Sequence, residues 1–119
     1  MLRRPLESTR FLSFYKSATP EGTRPSAEEE AKMGALITES MQAGVLLGAE
    51  GCLPSSFGAR VRQTRGKVTV VDGPFAEAKE VVGGFAIFQA ATKAEAIAFV
   101  QKFLEVAGDG ECEVRQLYE

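Results

Sequence analysis

The sequence predicts an α+β domain in which two helices cover one face of an antiparallel sheet. Ser26-x-x-Glu29 and Thr92-x-x-Glu95 each form a capping box, the pattern in which two side chains satisfy the first amides of a helix. Apolar residues at helical spacing follow both boxes. Other segments are β-branched or aromatic runs bounded by glycine and proline, as in strands. With 119 residues, 45% of them apolar, the chain is long enough for one domain with its own core.

We expect residues 1–8 to form an N-terminal extension and residues 9–119 to form the domain. Residues 10–16 are aromatic-rich and almost continuously apolar, which favours a strand in the centre of a sheet. The first helix should run from the Ser26 box to about Ala43, where Gly44 provides a left-handed end.

Residues 45–47 are expected to form a short strand or extended arm, and a long loop follows over residues 48–58. The next two segments, 59–64 and 67–71, alternate in polarity and are joined by Arg65-Gly66, so they predict a hairpin. Four basic residues lie on or next to its strands: Arg60, Arg62, Arg65 and Lys67. They would either protect a solvent-facing sheet edge or form an anion site at a subunit interface.

Residues 85–90 read as a buried strand, the second helix should end near Val106, and residues 111–118 close the sheet. The order is strand, helix, strand pair, strand, helix, strand. It corresponds to the ferredoxin-like β-α-β-β-α-β plan, with a short arm after the first helix. The strands at residues 10–16 and 85–90 are apolar on both faces, so the sheet face that the helices leave uncovered also carries apolar groups. We expect a second copy of the chain to cover that face. We therefore expect a homodimer.

Composition excludes several classes of function. A net charge of −2 argues against nucleic-acid binding, and no apolar run approaches the ~18–20 residues of a membrane span. No secretory signal follows the first residues, so we expect a cytoplasmic protein in which Cys52 and Cys112 are free thiols. The chain has no histidine, which removes the Ser-His-Asp triad and the commonest zinc sites. No metal or cofactor is predicted.

The candidate site is the stretch 70–84, V-V-D-G-P-F-A-E-A-K-E-V-V-G-G, which has the densest turn chemistry in the chain. An aspartate usually bonds to the amide two residues on, but here that residue is Pro74, which has no N–H. The carboxylate of Asp72 must therefore find Phe75, Ala76 or a more distant group. Asp72 either caps this turn or lies at the mouth of a pocket, where it could bind a ligand or move a proton.

Four residues are candidate ligand-binding companions of this catalytic candidate: Lys16, Ser55, Glu77 and Lys79. Lys16 ends the first strand, where it would meet an anion or remain a solvated charge. Ser55 has no base to make it a nucleophile, but its hydroxyl can donate a hydrogen bond. Glu77 and Asp72 together offer too few oxygens to predict a cation.

The string V-D-G-P-F-A-E-A-K-E-V-V-G-G-F resembles the YCII-related family, in particular its DGPF branch. A-G-V-L-L-G-A-E-G-C-L-P-S-S before it, and K-A-E-A-I-A-F-V-Q-K-F and E-C-E-V-R-Q-L after it, extend the resemblance over residues 9–118. The resemblance implies a dimeric α+β barrel. Many members pair a histidine with an aspartate; Asp72 matches the aspartate, but the missing histidine excludes that dyad. Some relatives are associated with sigma-type RNA polymerase specificity factors, which implies a protein partner.

Two functions follow as hypotheses. The first is binding of a small molecule in a cleft near the Asp-Gly-Pro-Phe turn, with weak acid–base chemistry through Asp72. The alternative is a non-enzymatic interaction module in transcription regulation. The sequence leaves open whether the protein is an enzyme.

Overall fold

The computed structural model describes residues 8–75 and 82–119 as a four-stranded antiparallel sheet, two helices on one of its faces, and a separate hairpin. In chain order the elements are β1 Thr9–Ser17, α1 Ala27–Gln42, β2 Leu46–Gly51, β3 Ala59–Thr64, β4 Lys67–Asp72, β5 Gly84–Ala90, α2 Lys93–Ala107 and β6 Gly110–Gln116. The sheet order β2-β5-β1-β6 is that of a ferredoxin-like domain. The predicted α+β class is confirmed, and β1 is central as expected.

Both predicted helix starts are present. At the first, the Ser26 hydroxyl accepts from the Glu29 amide at 3.1 Å, and the Glu29 carboxylate accepts from the Ser26 amide at 2.8 Å. These bonds favour the charged carboxylate and lower the pKa of Glu29. Gly44 follows the helix with φ of 76°. At the second helix, Thr92 accepts from the Glu95 amide, whereas the Glu95 carboxylate accepts from Ala91, one residue earlier than the box predicts.

The core lies between the helices and the sheet. Phe11 on β1 faces Phe88 on β5 in register, and both side chains point towards the helices. Phe88 is fully buried, with its ring centroid 5.8 Å from that of Phe11 and 4.7 Å from that of Phe99 on α2. The remaining buried apolar residues of this cluster are Leu46, Ala90, Ala96 and Val100.

The placement of the middle strands differs from the prediction. A short strand or arm was expected over residues 45–47 and a loop from residue 48. Instead, Leu46–Gly51 forms strand β2 and pairs with β5, with an irregular register between Leu46 and Gly48. The hairpin β3-β4, expected to supply strands of the main sheet, forms its own two-stranded sheet. The segment that follows α1 pairs with the edge of β5 as strand β2, so the hairpin does not pair there. The prediction fell short because L-L-G-A-E-G contains two glycines, and glycine is depleted in strands. The strand forms nevertheless, because its pairing with β5 overrides this local preference.

The predicted hairpin itself is confirmed. Arg65 and Gly66 have positive φ values of 52° and 80°, as a tight hairpin turn requires. Val61 lies opposite Val70, so both side chains are on one face, and Val68 shares that face. Their exposed fractions are 67%, 62% and 55%. The hairpin therefore presents an exposed apolar face, and its arginines Arg60 and Arg62 lie on the other.

Candidate functional site

The Asp-Gly-Pro-Phe turn packs against a short 3-10 helix, Ser55–Phe57, that precedes β3. The Gly73 amide donates to the Gly58 carbonyl at 3.0 Å, and the Phe75 amide donates to the Ser55 hydroxyl at 3.0 Å. A Cβ added at Gly73 would lie 1.7 Å from the Ser55 carbonyl oxygen. Only glycine fits at this position, because the obstructing atom belongs to the backbone.

Ser55 joins three segments of the chain. Its amide and its hydroxyl both donate to the Glu21 carboxylate, at 2.6 and 2.7 Å, while the hydroxyl also accepts from Phe75. The residue is 7% exposed. These bonds give Ser55 a structural role, and its predicted binding of a ligand stays a prediction. The contact of Glu21 with Ser55 was not predicted, because Glu21 lies in an irregular loop and belongs to no motif.

Asp72 is the last residue of β4 and is exposed. It lies opposite Ala59 and on the same face of the hairpin as Val70. The Phe75 amide, one of its expected partners, donates to Ser55 instead. Within residues 8–75 and 82–119 the Asp72 carboxylate has no hydrogen bond or ion pair. Ala76 lies outside the described residues, so the proposed roles of Asp72 as turn cap or acid stay predictions.

Of the other three predicted companions, the structure describes Lys16, which lies away from Asp72. Lys16 lies on β1 opposite Glu111 of β6, on the sheet face that points away from the helices. Glu77 and Lys79 lie outside the described residues. Of the predicted companions that the structure describes, Ser55 contacts the turn that follows Asp72, whereas Lys16 does not.

A cavity of about 310 Å³ lies between the helices and the main sheet. Its lining is largely apolar and comes from β1, α1, β2, β5 and α2, together with Gly83. Apolar and aromatic walls include Met33, Leu36, Ile37, Leu46, Phe99, Val100 and Phe103. Among the described lining residues, the charged side chain is that of Glu50, which is exposed.

Small side chains leave this space open. Ser13 on β1 and Ser40 on α1 line the cavity where the strand alternation and the helical spacing call for apolar residues. They are 8% and 7% exposed. Ala86, opposite Ser13 on β5, adds another small residue to the same wall.

Tyr15 is a fixed wall of the cavity. Its hydroxyl donates to carbonyl oxygens at the end of α2, 3.3 Å from that of Ala107 and 3.3 Å from that of Asp109. Its ring packs edge-on against Phe103, with centroids 5.3 Å apart. Because its hydroxyl is held by backbone carbonyls, Tyr15 contributes mainly an apolar ring face.

The cavity was not among the predictions from the sequence, although two serines signal it. Ser13 stands between Phe11 and Tyr15 on the buried face of β1. Ser40 continues the apolar stripe of Met33 and Leu36 at helical spacing. A serine at a position where the pattern of a strand or a helix calls for an apolar residue indicates a polar group facing the interior. Ser13 and Ser40 both line the cavity.

The two cysteines are free thiols, as predicted. Cys52 is exposed, whereas Cys112 is half-buried on the helix side of β6. Burial, followed by the charge of Glu111, raises the pKa of Cys112 to about 11. Its thiol is therefore protonated at neutral pH and a poor nucleophile.

Fold and cavity together define a small α+β domain of ferredoxin-like topology with a largely apolar, partly open cavity between its helices and its main sheet. The chain belongs to the YCII-related family, since the model of the YCII-related domain matches residues 11–119. It is also similar to an uncharacterized protein of Rhizobium meliloti (strain 1021), with 32% identity over 97 residues, which are 77% of this chain and 78% of that protein. The predicted family is confirmed. Within the described ranges, no helix has the length and apolar character needed to cross a membrane.

Proposed function

We propose that this protein binds a small, mainly apolar molecule in the cavity between α1, α2 and the main sheet. The observation that carries the proposal is the cavity itself, about 310 Å³ and walled by aliphatic and aromatic side chains. Protein interiors leave few voids larger than a water molecule, and an apolar cavity of about 150 Å³ is enough to bind benzene. A cavity of this size and lining suits a ligand of about two fused rings.

The cavity touches one end of the stretch that the sequence singled out. Gly83 and Gly84, the last residues of that stretch, line it, whereas Asp72 does not. The lining residues include neither histidine nor cysteine, and the Tyr15 hydroxyl is occupied. These features favour binding over catalysis as the function of the cavity, and acid–base chemistry through Asp72 remains a separate hypothesis.

A titration with naphthalene, followed through the backbone amide signals in NMR, tests the proposal. We expect saturable shifts at residues that line the cavity and weaker binding by Ala86→Leu, which adds volume to the cavity wall. Ala35→Leu adds the same atoms on the exposed side of α1 and should bind as the wild type does. The absence of saturable shifts in the wild type, or equal weakening in both variants, would contradict the proposal.

The homodimer predicted from the sequence is also proposed here, on the basis of two exposed apolar surfaces. One is the valine face of the hairpin, Val61, Val68 and Val70. The other is the sheet face away from the helices, where Phe14 lies opposite Phe85. An isolated two-stranded hairpin is only marginally stable, and a contiguous exposed apolar face is typical of an interface. We therefore expect the valine face to pack against another protein surface. Packing of the open sheet faces of two copies would produce the expected dimeric barrel.

The alternative function, an interaction module associated with sigma-type factors, and the assignment to the DGPF branch both rest on the sequence motif. No contact within residues 8–75 and 82–119 adds support to either. They stay predictions.

A further inference from the structure

We propose that the ligand carries a neutral hydroxyl or carbonyl group, which hydrogen-bonds to Ser13 and Ser40 inside the cavity. This inference rests on the proposed function and specifies its ligand class. It comes from Ser13 and Ser40, whose hydroxyls have no hydrogen-bond partner among residues 8–75 and 82–119.

The Ser13 side chain lies among apolar neighbours, and its hydroxyl borders the cavity. It lies opposite Ala86 on one adjacent strand and Val114 on the other, neither of which has a polar side chain. The side chain is on the helix side of the sheet, 8% exposed, and lines the cavity. Throughout the described part of the chain, its hydroxyl has no hydrogen-bond partner.

Ser40 offers a second hydroxyl from the helix wall. It lies one turn after Leu36 on α1, is 7% exposed, and lines the same cavity. A serine within a helix often bonds back to the carbonyl four residues earlier. The Ser40 hydroxyl makes no such bond, nor any other to the described residues. Two unpartnered hydroxyls thus reach the cavity from the sheet and from a helix.

The two hydroxyls border the open space of the cavity, so a ligand that fills it removes them from water. Removing a hydroxyl from water without giving it a hydrogen bond costs free energy. A ligand with a hydroxyl or carbonyl group would satisfy one or both serines. A hydrocarbon of the same shape would leave both unsatisfied. The serines therefore favour a ligand with a polar group over a pure hydrocarbon.

Charge restricts the ligand further. Among the lining residues that the structure describes there is no lysine or arginine, and Glu50 is the carboxylic acid. A carboxylate entering this apolar space would lose its hydration without gaining a counter-ion, and Glu50 would repel it. The chemical class that fits is a neutral alcohol, phenol or ketone built on about two rings.

Three probes of nearly equal shape test this inference: naphthalene, 1-naphthol and 1-naphthoate. At neutral pH we expect 1-naphthol to bind more tightly than naphthalene by about fivefold per hydrogen bond formed. We expect 1-naphthoate to bind most weakly. Dissociation constants are measured by NMR titration for the wild type and for the Ser13→Ala/Ser40→Ala double variant.

In the double variant the preference for 1-naphthol should disappear, while naphthalene should bind as it does to the wild type or more tightly. Ser56→Ala removes an exposed hydroxyl outside the cavity and should retain the wild-type preference. If naphthalene binds the wild type as tightly as 1-naphthol, or if the preference survives in the double variant, the inference is wrong although the cavity still binds. If none of the three probes binds, the proposed function fails, and the inference with it.

Discussion

Single small residues determine both the turn and the cavity. Gly73 lets the Asp-Gly-Pro-Phe turn contact the backbone of Ser55, and two serines leave polar groups in an apolar space. A turn at Gly73-Pro74 could be predicted from local sequence, because glycine and proline are turn residues, but the need for glycine at position 73 could not. The contact of Gly73 with Ser55 could not be predicted either, since the two residues are distant in sequence and meet only in the folded chain.

Replacing Gly73 by alanine should destabilise the protein by at least about 2 kcal/mol, because its Cβ would collide with the Ser55 carbonyl. Gly34→Ala is the matched control. Gly34 lies within α1 with no atom near its Cβ position, so this change should stabilise the helix by roughly 0.5–1 kcal/mol. Urea unfolding measures both free energies. Similar effects in the two variants would show that the turn is not packed as described.

Cys112 should make stability fall at alkaline pH. Burial raises its pKa from the ordinary 9.0 to about 11, so the unfolded thiol ionises before the folded one. The stabilisation is fully present below pH 9 and is lost as the pH rises through 11. The free energy of unfolding of Cys112→Ala should therefore fall less between these values than that of the wild type. Cys52→Ala should follow the wild type; a common slope for all three proteins would contradict the assignment.

At the scale of elements, local signals predicted both helices, three strands of the main sheet and the two strands of the hairpin. The capping boxes at Ser26 and Thr92 satisfy amides within one turn, so their effect can be read from neighbouring residues. The length of strand β2 could not be predicted locally, because its glycines disfavour a strand and its pairing with β5 is a tertiary contact. The hairpin was recognised from its turn and alternation, whereas its separation from the main sheet depends on which segment occupies the edge of β5.

The hairpin's valine face gives a prediction for assembly. Val70→Lys places a charge in the proposed interface and should convert a dimer into a monomer, because burying an unpaired charge is costly. Thr69→Lys adds the same charge on the opposite face of β4 and should leave the dimer intact. Sedimentation equilibrium distinguishes the two states. A monomeric wild type, or identical behaviour of both variants, would overturn the proposed dimer.

At the scale of the molecule, the cavity is the space left between the helix layer and the main sheet. Helix periodicity and strand alternation predicted which faces meet, but periodicity alone does not give the volume left between them. That volume depends on serine, alanine and glycine residues from separate elements, such as Ser13, Ser40 and Ala86. The sequence therefore directed attention to the turn near Asp72, while the folded chain presents its cavity on the helix side of the sheet.

The most direct test is an isotope-filtered NOESY spectrum of the labelled protein with unlabelled naphthalene. We predict contacts between the naphthalene protons and the methyl groups of Leu36, Ile37 and Leu46, which line the cavity. Contacts confined to Val61, Val68 and Val70 on the hairpin, or no intermolecular contacts at saturating naphthalene, would contradict binding between the helices and the sheet.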